Sequence, residues 1–421
     1  MAFDEMRALL GEWEGFELVG VEREPATAEQ PVPRLILELK PIPRFPKRCS
    51  RCGEVVVAIH DVTERRVRDL PVFDWETWLV FPRARLQCPR CGPMVEAVPW
   101  LDRYQRMTTR LADAIARLAQ VLPIAQVAGW FHVGWDTVKQ IDYRALRQRV
   151  GPVDATSLAE VRVIAIDEFA IQRGHRYATV IADPYRKRVL WVGRGRSRED
   201  VRPFFELLGT AGCARLAAVV MDMSGSYGDE VRARCPHATI VYDLFHVVAK
   251  YGREVIDRVR VDETNRIARA NGPNDQPTRA RRRVIKGTRW LLLKNREHLN
   301  TWADRVRLKE LLAANRALFT VYVLKDDLKQ LWRFRYPNAA RRFWRHWYRR
   351  AIASRLAPLQ TFARNLAVYI DGIVSHCQYP LHTSFLEGIN NKIKVLKRMA
   401  YGFRDDAYFF LKIRAAFPGI P

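Results

Sequence analysis

The 421-residue sequence contains no run of about 18 apolar residues, the length that crosses a bilayer, so no membrane span and no membrane partner is expected. Its start, MAFDEMRALLGEWEGFELVG, has no basic stretch followed by an apolar one, so no secretory signal is expected. There is no internal repeat and no extended low-complexity tract. Cysteine is sparse outside a single pattern: four of the seven form two C-x-x-C pairs, while Cys213, Cys235 and Cys377 stand alone. Such usage fits a reduced, cytoplasmic protein. Acidic residues are in deficit, with 46 Asp+Glu against 71 Lys+Arg and a net charge of +25, and a polyanion is therefore the first partner to test.

With 48% hydrophobic and 28% charged residues, the composition is that of folded protein. The length suits two to four domains. The positive charge is concentrated: between Arg279 and Arg350 there are 21 basic residues against 5 acidic ones. The same stretch holds Trp290, Trp302, Trp332, Trp344 and Trp347. Basic residues interleaved with aromatics suit phosphate contact and base stacking, although core packing accounts for most of these tryptophans.

Cys49-Ser-Arg-Cys52-Gly and Cys88-Pro-Arg-Cys91-Gly repeat one pattern. Each places two thiols at knuckle spacing with a glycine beyond that tolerates a positive φ, and four sulfurs satisfy one structural Zn2+. The 35 residues between the pairs exceed the usual ribbon spacing, and a strand pair fills the gap. Short strands are expected at FELVGVE, RLILELK, VVVAIHDV and WLVFPRARLQ. From Thr108 the pattern becomes helical. PIAQVAGWF and WDTVKQIDYRAL flank HVG, whose Gly134 is expected to supply the turn of a helix-turn-helix. Trp135, Thr137, Lys139 and Gln140 would then face DNA.

Beyond the linker GPVDATS come three strand-like runs, VRVIAID, HRYATVIAD and KRVLWVGR, read as antiparallel neighbours. Ser197 to Asp200 reads as a capping box opening a helix towards Leu208, and Ser226 to Asp229 as a second box. Between them AAVVMD is a strand ending at Asp222, and TIVYD a fifth ending at Asp243. This order is that of the ribonuclease-H-like fold. From Leu244 to about Ile373 only helical periodicity remains, and from His382 the chain is expected to return to the sheet.

Three carboxylates stand apart from the rest. Asp167 and Asp222 each end an apolar strand run, where an α/β sheet binds ligands, and their hard oxygens suit Mg2+ or Mn2+. Glu168 is a rival ligand for Asp167, and Asp222 could serve only the following turn. Glu387 opens the helix FLEGINNKIKVLKR, where Glu387, Asn391, Lys394 and Arg398 form a polar stripe opposite Ile389, Ile393 and Leu396. Ser384 and Glu387 also have capping-box spacing. There are 54 residues between Asp167 and Asp222 but 164 between Asp222 and Glu387.

With these residues in place, the chain resembles bacterial insertion-sequence transposases of the ISL-three type, in the DDE superfamily of ribonuclease-H-like recombinases. The matching text is the two CxRCG pairs with Asp69-Leu70-Pro71 between them, the helix-turn-helix, IDEFA, MDMSGSY, YDLFHVV and FLEGINNKIKVLKRMAYGFRD. The resemblance implies a multidomain α+β chain. A zinc-ribbon-like module covers 1–100 and a helix-turn-helix domain 105–150. A ribonuclease-H-like catalytic domain occupies 158–250 and 376–421, interrupted by an all-helical insertion at 251–375.

The same resemblance makes Asp167, Asp222 and Glu387 the catalytic triad, holding two Mg2+ or Mn2+ ions, with Asp243 and His246 as accessory residues. Helix-start packing is the alternative role for His246. The implied reaction is cleavage at an element's terminal inverted repeats and joining of the 3′-hydroxyl ends to target DNA, by a homodimer on paired ends associated with the nucleoid. Lys394, Lys397 and Arg398 would meet the phosphate backbone. A non-catalytic DNA-binding regulator and a structure-specific nuclease are the alternative functions.

Overall fold

The computed structural model describes residues 10–420 apart from 173, 175, 272–275, 295–298, 300, 382 and 383, and apart from the side chains of 270, 271, 277, 278, 280, 281, 286 and 384. The chain divides into two compact units: Met1–Arg149 with Arg398–Phe403, and Val150–Lys397 with Arg404–Pro421.

The first unit holds a five-stranded sheet of β1 (Phe16–Glu24), β2 (Arg34–Pro41), β3 (Ile59–Val72), β4 (Trp75–Cys88) and β5 (Gly92–Val95). Its order is β1-β2-β4-β3, with β5 on β4. The gap between the cysteine pairs is filled by the long antiparallel hairpin β3–β4. Phe16, Phe81 and Trp100 meet edge-on at 5.0–5.5 Å above a core of Leu37 and Leu79.

Three helices follow: α1 (Thr109–Leu118), α2 (Ile124–Phe131) and α3 (Trp135–Val150). They bury Leu111, Ile115, Val127, Phe131 and Val138 in a core of their own. Asp69, fully buried, joins this bundle to the sheet. Its carboxylate accepts from Trp13 Nε1 at 3.0 Å, Thr108 Oγ1 at 2.6 Å, Arg110 Nε at 2.7 Å and the Leu70 amide at 2.8 Å, and it also pairs with Arg110 Nη2.

The turn between α2 and α3 contains Gly134, as expected. The left-handed residue is His132, at φ 50°, not Gly134. The Val133 amide bonds the Ala128 carbonyl at 3.0 Å, so the helix closes by a Schellman-type cap whose left-handed position falls on His132.

The second unit is built on the sheet β10-β9-β6-β7-β8. Strands β6 (Val163–Gln172), β7 (Arg176–Asp183) and β8 (Arg188–Arg194) form an antiparallel meander, and β9 (Ala218–Met221) and β10 (Thr239–Tyr242) lie parallel to β6. This is the ribonuclease-H-like arrangement.

Helix α4 (Arg198–Arg215) leads from β8 to β9 and α5 (Gly225–Arg234) from β9 to β10. The box at Ser197 and Asp200 is present, and α4 passes Leu208 after a break at Gly209. The second box is absent: α5 starts at Gly225, which places Ser226 inside the helix. The Asp222 side chain instead takes up the Ser224 amide at 3.0 Å, and Asp229 pairs with Arg232.

From Leu244 to Val374 the described chain is helical: α6 (Leu244–Tyr251), a π turn (Gly252–Ile256), α7 (Asp257–Asn271), α8 (Gln276–Lys286), α9 (Arg289–Leu293), α10 (Trp302–Ala314), α11 (Arg316–Lys329), α12 (Pro337–Ala353), α13 (Ala357–Ala367) and α14 (Ile370–Val374). Its core runs on from that under the sheet, through Tyr251, Phe362 and Trp347. Trp344 and Trp347 are buried and stacked at 5.2 Å, whereas Trp290 and Trp302 are exposed. The chain ends with α15 (Ser384–Met399) and α16 (Asp406–Ala416), the latter packed on β8. The expected return to the sheet at His382 begins outside the described residues. By Asn390 the chain is against β6.

Candidate active site and metal centre

Asp167 is not at a strand end, as the sequence suggested: β6 continues to Gln172 because β7 still pairs with it, Asp167 lying opposite Val180. Its other neighbour, β9, stops at Met221. The parallel register matches Ala165 with Val220, and two further steps bring Asp167 opposite Asp222. Tyr242 on β10 matches Met221, so one step on Asp243 falls beside Asp222. Three aspartates therefore form one row across three parallel strands, with neighbouring backbones about 5 Å apart.

The row is shielded from water. Asp167 and Asp243 are buried and Asp222 is half-buried. Burial pushes the Asp167 carboxyl up to about 6, and the Asp222 charge adds to it; the His246 charge, the Glu168 amide and the Asn390 side chain act the other way. Burial likewise raises Asp222, with Asp243 adding to it and His246, the Ser224 amide and Arg196 opposing. His246 thus faces both aspartates electrostatically, and its Nε2 lies 3.7 Å from Asp243 Oδ2. Asp243 also caps α6, accepting from the Phe245 amide at 2.8 Å. Glu168, the rival to Asp167, pairs with Arg196 at 3.1 Å, and Arg196 stacks on Tyr177 at 4.1 Å.

Helix α15 brings its residues to this row. Asn390 Nδ2 donates to Asp167 Oδ2 at 2.7 Å, and Lys397 Nζ to the Ala170 carbonyl at 2.6 Å. Lys397, expected to meet DNA, is therefore engaged with β6. Ile389, Ile393 and Leu396 are buried, whereas Glu387, Asn391, Lys394 and Arg398 are exposed, as the stripe required. Ser384 is the first helical residue, so a capping residue would be Thr383, outside the described ones. Asn390 was missed by sequence reasoning. Its only signal was a place one turn after Glu387, between the apolar and basic faces.

Among the described residues, one group of three or more Cys, His, Asp or Glu side chains has all its ligand atoms within 4.8 Å of one another: Cys49, Cys52, Cys88 and Cys91. The three carboxylates do not converge that closely. The cysteine arrangement fits zinc, since tetrahedral Zn–S bonds of about 2.3 Å set the sulfurs about 3.8 Å apart. Cys52 and Cys88 are 3.6 Å apart, far beyond disulfide length. Gly53 and Gly92 turn the two knuckles at φ 75° and 73°. Burial raises the Cys49 thiol, but the Cys52 and Arg51 amides and neighbouring thiols bring it down to about 7.

At the helix-turn-helix, Trp135 and Gln140 are exposed and Thr137 and Lys139 half-buried, with Lys139 Nζ 5.8 Å from the Trp135 ring. No described helix is long and apolar enough to cross a membrane.

A ribonuclease-H-like sheet with an aspartate row, in a basic chain that also carries a four-cysteine module and a helix-turn-helix, defines a nucleic-acid-processing enzyme. Comparison with known families narrows this. The family model described as "Transposase", for the ISL3 group, matches residues 164–413. The helix-turn-helix domain of transposase family ISL3 matches 96–146, and the zinc-finger of transposase IS204/IS1001/IS1096/IS1165 matches 46–91.

The transposase for insertion sequence element IS1001 of Bordetella parapertussis is 51% identical over 411 residues, 97% of each chain. The transposase for insertion sequence element IS1557 of Mycobacterium tuberculosis is 31% identical over 389 residues, 88% of this chain and 86% of that relative. The chain belongs to the ISL3 family of transposases. That membership implies DNA binding and a divalent metal.

Proposed function

We propose that this chain binds the terminal inverted repeats of an insertion sequence, cleaves DNA at the element ends and joins the freed 3′-hydroxyls to target DNA. The observation that carries the reading is the row Asp167, Asp222 and Asp243 across three parallel strands, with α15 anchored beside it. Asp167, Asp222 and Glu387 are the ligands of a pair of Mg2+ or Mn2+ ions. Bound there, the pair would supply activation of an attacking oxygen and stabilisation of a leaving one.

Asp167 and Asp222 would hold the ions from the sheet, and Glu387 from the exposed side of α15. A protonated His246 favours the ionised forms of Asp167 and Asp222. Lys394 and Arg398 hold the phosphate backbone beside the cut.

In this reading residues 1–100 with one Zn2+ and residues 105–150 with Trp135, Thr137, Lys139 and Gln140 recognise the ends. Segments 158–250 and 376–421 form the catalytic domain and 251–375 the helical insertion. The chain acts in the bacterial cytoplasm at the nucleoid, as a homodimer that pairs both ends.

The test is incubation of the zinc-loaded protein with Mg2+ and DNA carrying the element ends. End cleavage and a strand-transfer product are expected. Specific binding with no cleavage would make the protein a regulator, and cutting with no joining a nuclease.

A further inference from the structure

Asn390 uses only half of its amide. Nδ2 donates to Asp167 Oδ2 at 2.7 Å, which fixes the amide's orientation because an ionised carboxylate only accepts. The other atom, Oδ1, is buried and has no hydrogen-bond partner among the described residues. An unsatisfied buried oxygen is costly, and one held beside a buried carboxylate has the chemistry of a cation ligand. Two oxygens sharing an Mg2+-sized ion at about 2.1 Å lie at most about 4.2 Å apart, a span the amide's own size permits from Asp167.

We propose that Asn390 is a further residue of the metal site, orienting Asp167 through Nδ2 and offering Oδ1 to the divalent cation. The proposal rests on the reading of Asp167 as a metal ligand. A neutral amide suits the position: Asp167, Asp222 and Asp243 already crowd acidic groups together there, and Asn390 adds an oxygen without adding charge. Helix α15 then contributes two oxygen ligands one turn apart, Glu387 from its exposed side and Asn390 from its sheet side.

The experiment titrates Mn2+ into full-length, zinc-loaded protein by calorimetry and by electron paramagnetic resonance of the free ion. Asn390→Ala is expected to weaken Mn2+ binding about tenfold or more, and Asn390→Asp, which keeps an oxygen there, to bind at least as tightly as the wild type. Folding is checked by metal-free melting.

A folded Asn390→Ala that binds Mn2+ within twofold of wild type overturns the proposal. So does a folded Asn390→Asp that has lost Mn2+, which decides the matter if the alanine variant does not fold. Asp167→Asn separates the layers. If it binds Mn2+ like the wild type, the reading of Asp167 is wrong and this proposal falls with it. If it loses Mn2+ while Asn390→Ala retains it, only the role of Asn390 falls.

Discussion

Asn390 and Asp167, 223 residues apart in sequence, are joined by a 2.7 Å hydrogen bond between a helix and a strand. A second bond, Lys397 to Ala170, lies seven residues further along the helix and three along the strand. Those steps correspond to about 10.5 Å and about 10 Å, so α15 runs alongside β6 in the same direction. Glu387, one turn before Asn390, is carried to the same neighbourhood by the same anchors.

If this neighbourhood is the reaction centre, Asp167→Asn, Asp222→Asn and Glu387→Gln should each lower end cleavage by at least about 100-fold, because each removes a ligand charge. Binding to end DNA should change little. Gel-based cleavage and binding assays on the same preparations report both. Near-normal cleavage by any one variant would remove that residue from the triad.

The sheet order, the cysteine cluster and the helix-turn-helix were legible because each has a local signature: apolar runs with turn formers between them, a repeated CxRCG, helical periodicity. What was not legible depended on partners distant in sequence. Asp167 read as a strand end because the apolar run stops there, yet β6 continues under the pairing of β7. Ser226 had the spacing of a cap, but Asp222 had already taken up the chain's turn. Asn390, between the apolar and the basic face of its helix, carried no mark of its own until Asp167 was beside it. Asp69 was only part of a matching motif, with nothing local to mark it as a buried hub.

The turn of the helix-turn-helix gives a test of backbone strain. His132 occupies a left-handed conformation at φ 50° and is exposed, so His132→Gly should stabilise this bundle by about 0.5–1 kcal/mol. Gly134 needs no positive φ, and an added Cβ would meet only Thr137 Oγ1 at 3.6 Å, so Gly134→Ala should be nearly neutral or better. Urea titration ranks the two. A strongly destabilised Gly134→Ala would overturn this account of the turn.

Asp69 holds Trp13, Thr108 and Arg110 about one buried carboxylate. Replacing it with Ala strands the Arg110 charge and the Trp13 and Thr108 donors, at a cost of about 3–5 kcal/mol. The loss should appear in urea unfolding of the zinc-loaded protein and in weakened end binding, since the helices carrying the recognition residues are tied to the sheet there. A change below about 1 kcal/mol would show the hub to be dispensable.

The four cysteines should retain one zinc per chain, measurable by metal analysis and by release to a chromogenic chelator. Cys52→Ser or strong chelation should unfold the β3–β4 end of the first unit and abolish end binding, because binding a structural zinc contributes directly to folding. Zinc content that is unchanged in Cys52→Ser would sink the assignment.

Asp167 makes stability depend on pH in a stated direction. Its folded value, about 6, lies above the ordinary carboxylate value near 3.9, so between about pH 4 and 6 the folded state keeps a proton that the unfolded chain has lost. Stability of the metal-free protein should therefore fall as pH rises through that window, by up to about 3 kcal/mol from this group, with Asp222 acting in the same direction. Asp167→Asn removes the buried charge, and its metal-free Tm at pH 7.5 should exceed that of the wild type by several degrees. Mg2+ favours the ionised carboxylates, so it should raise the wild-type Tm more at pH 7.5 than at pH 5 and raise that of the variant less. Scanning calorimetry at the two pH values measures all of these, and a variant no more stable than wild type at pH 7.5 would mean that burial does not strain Asp167.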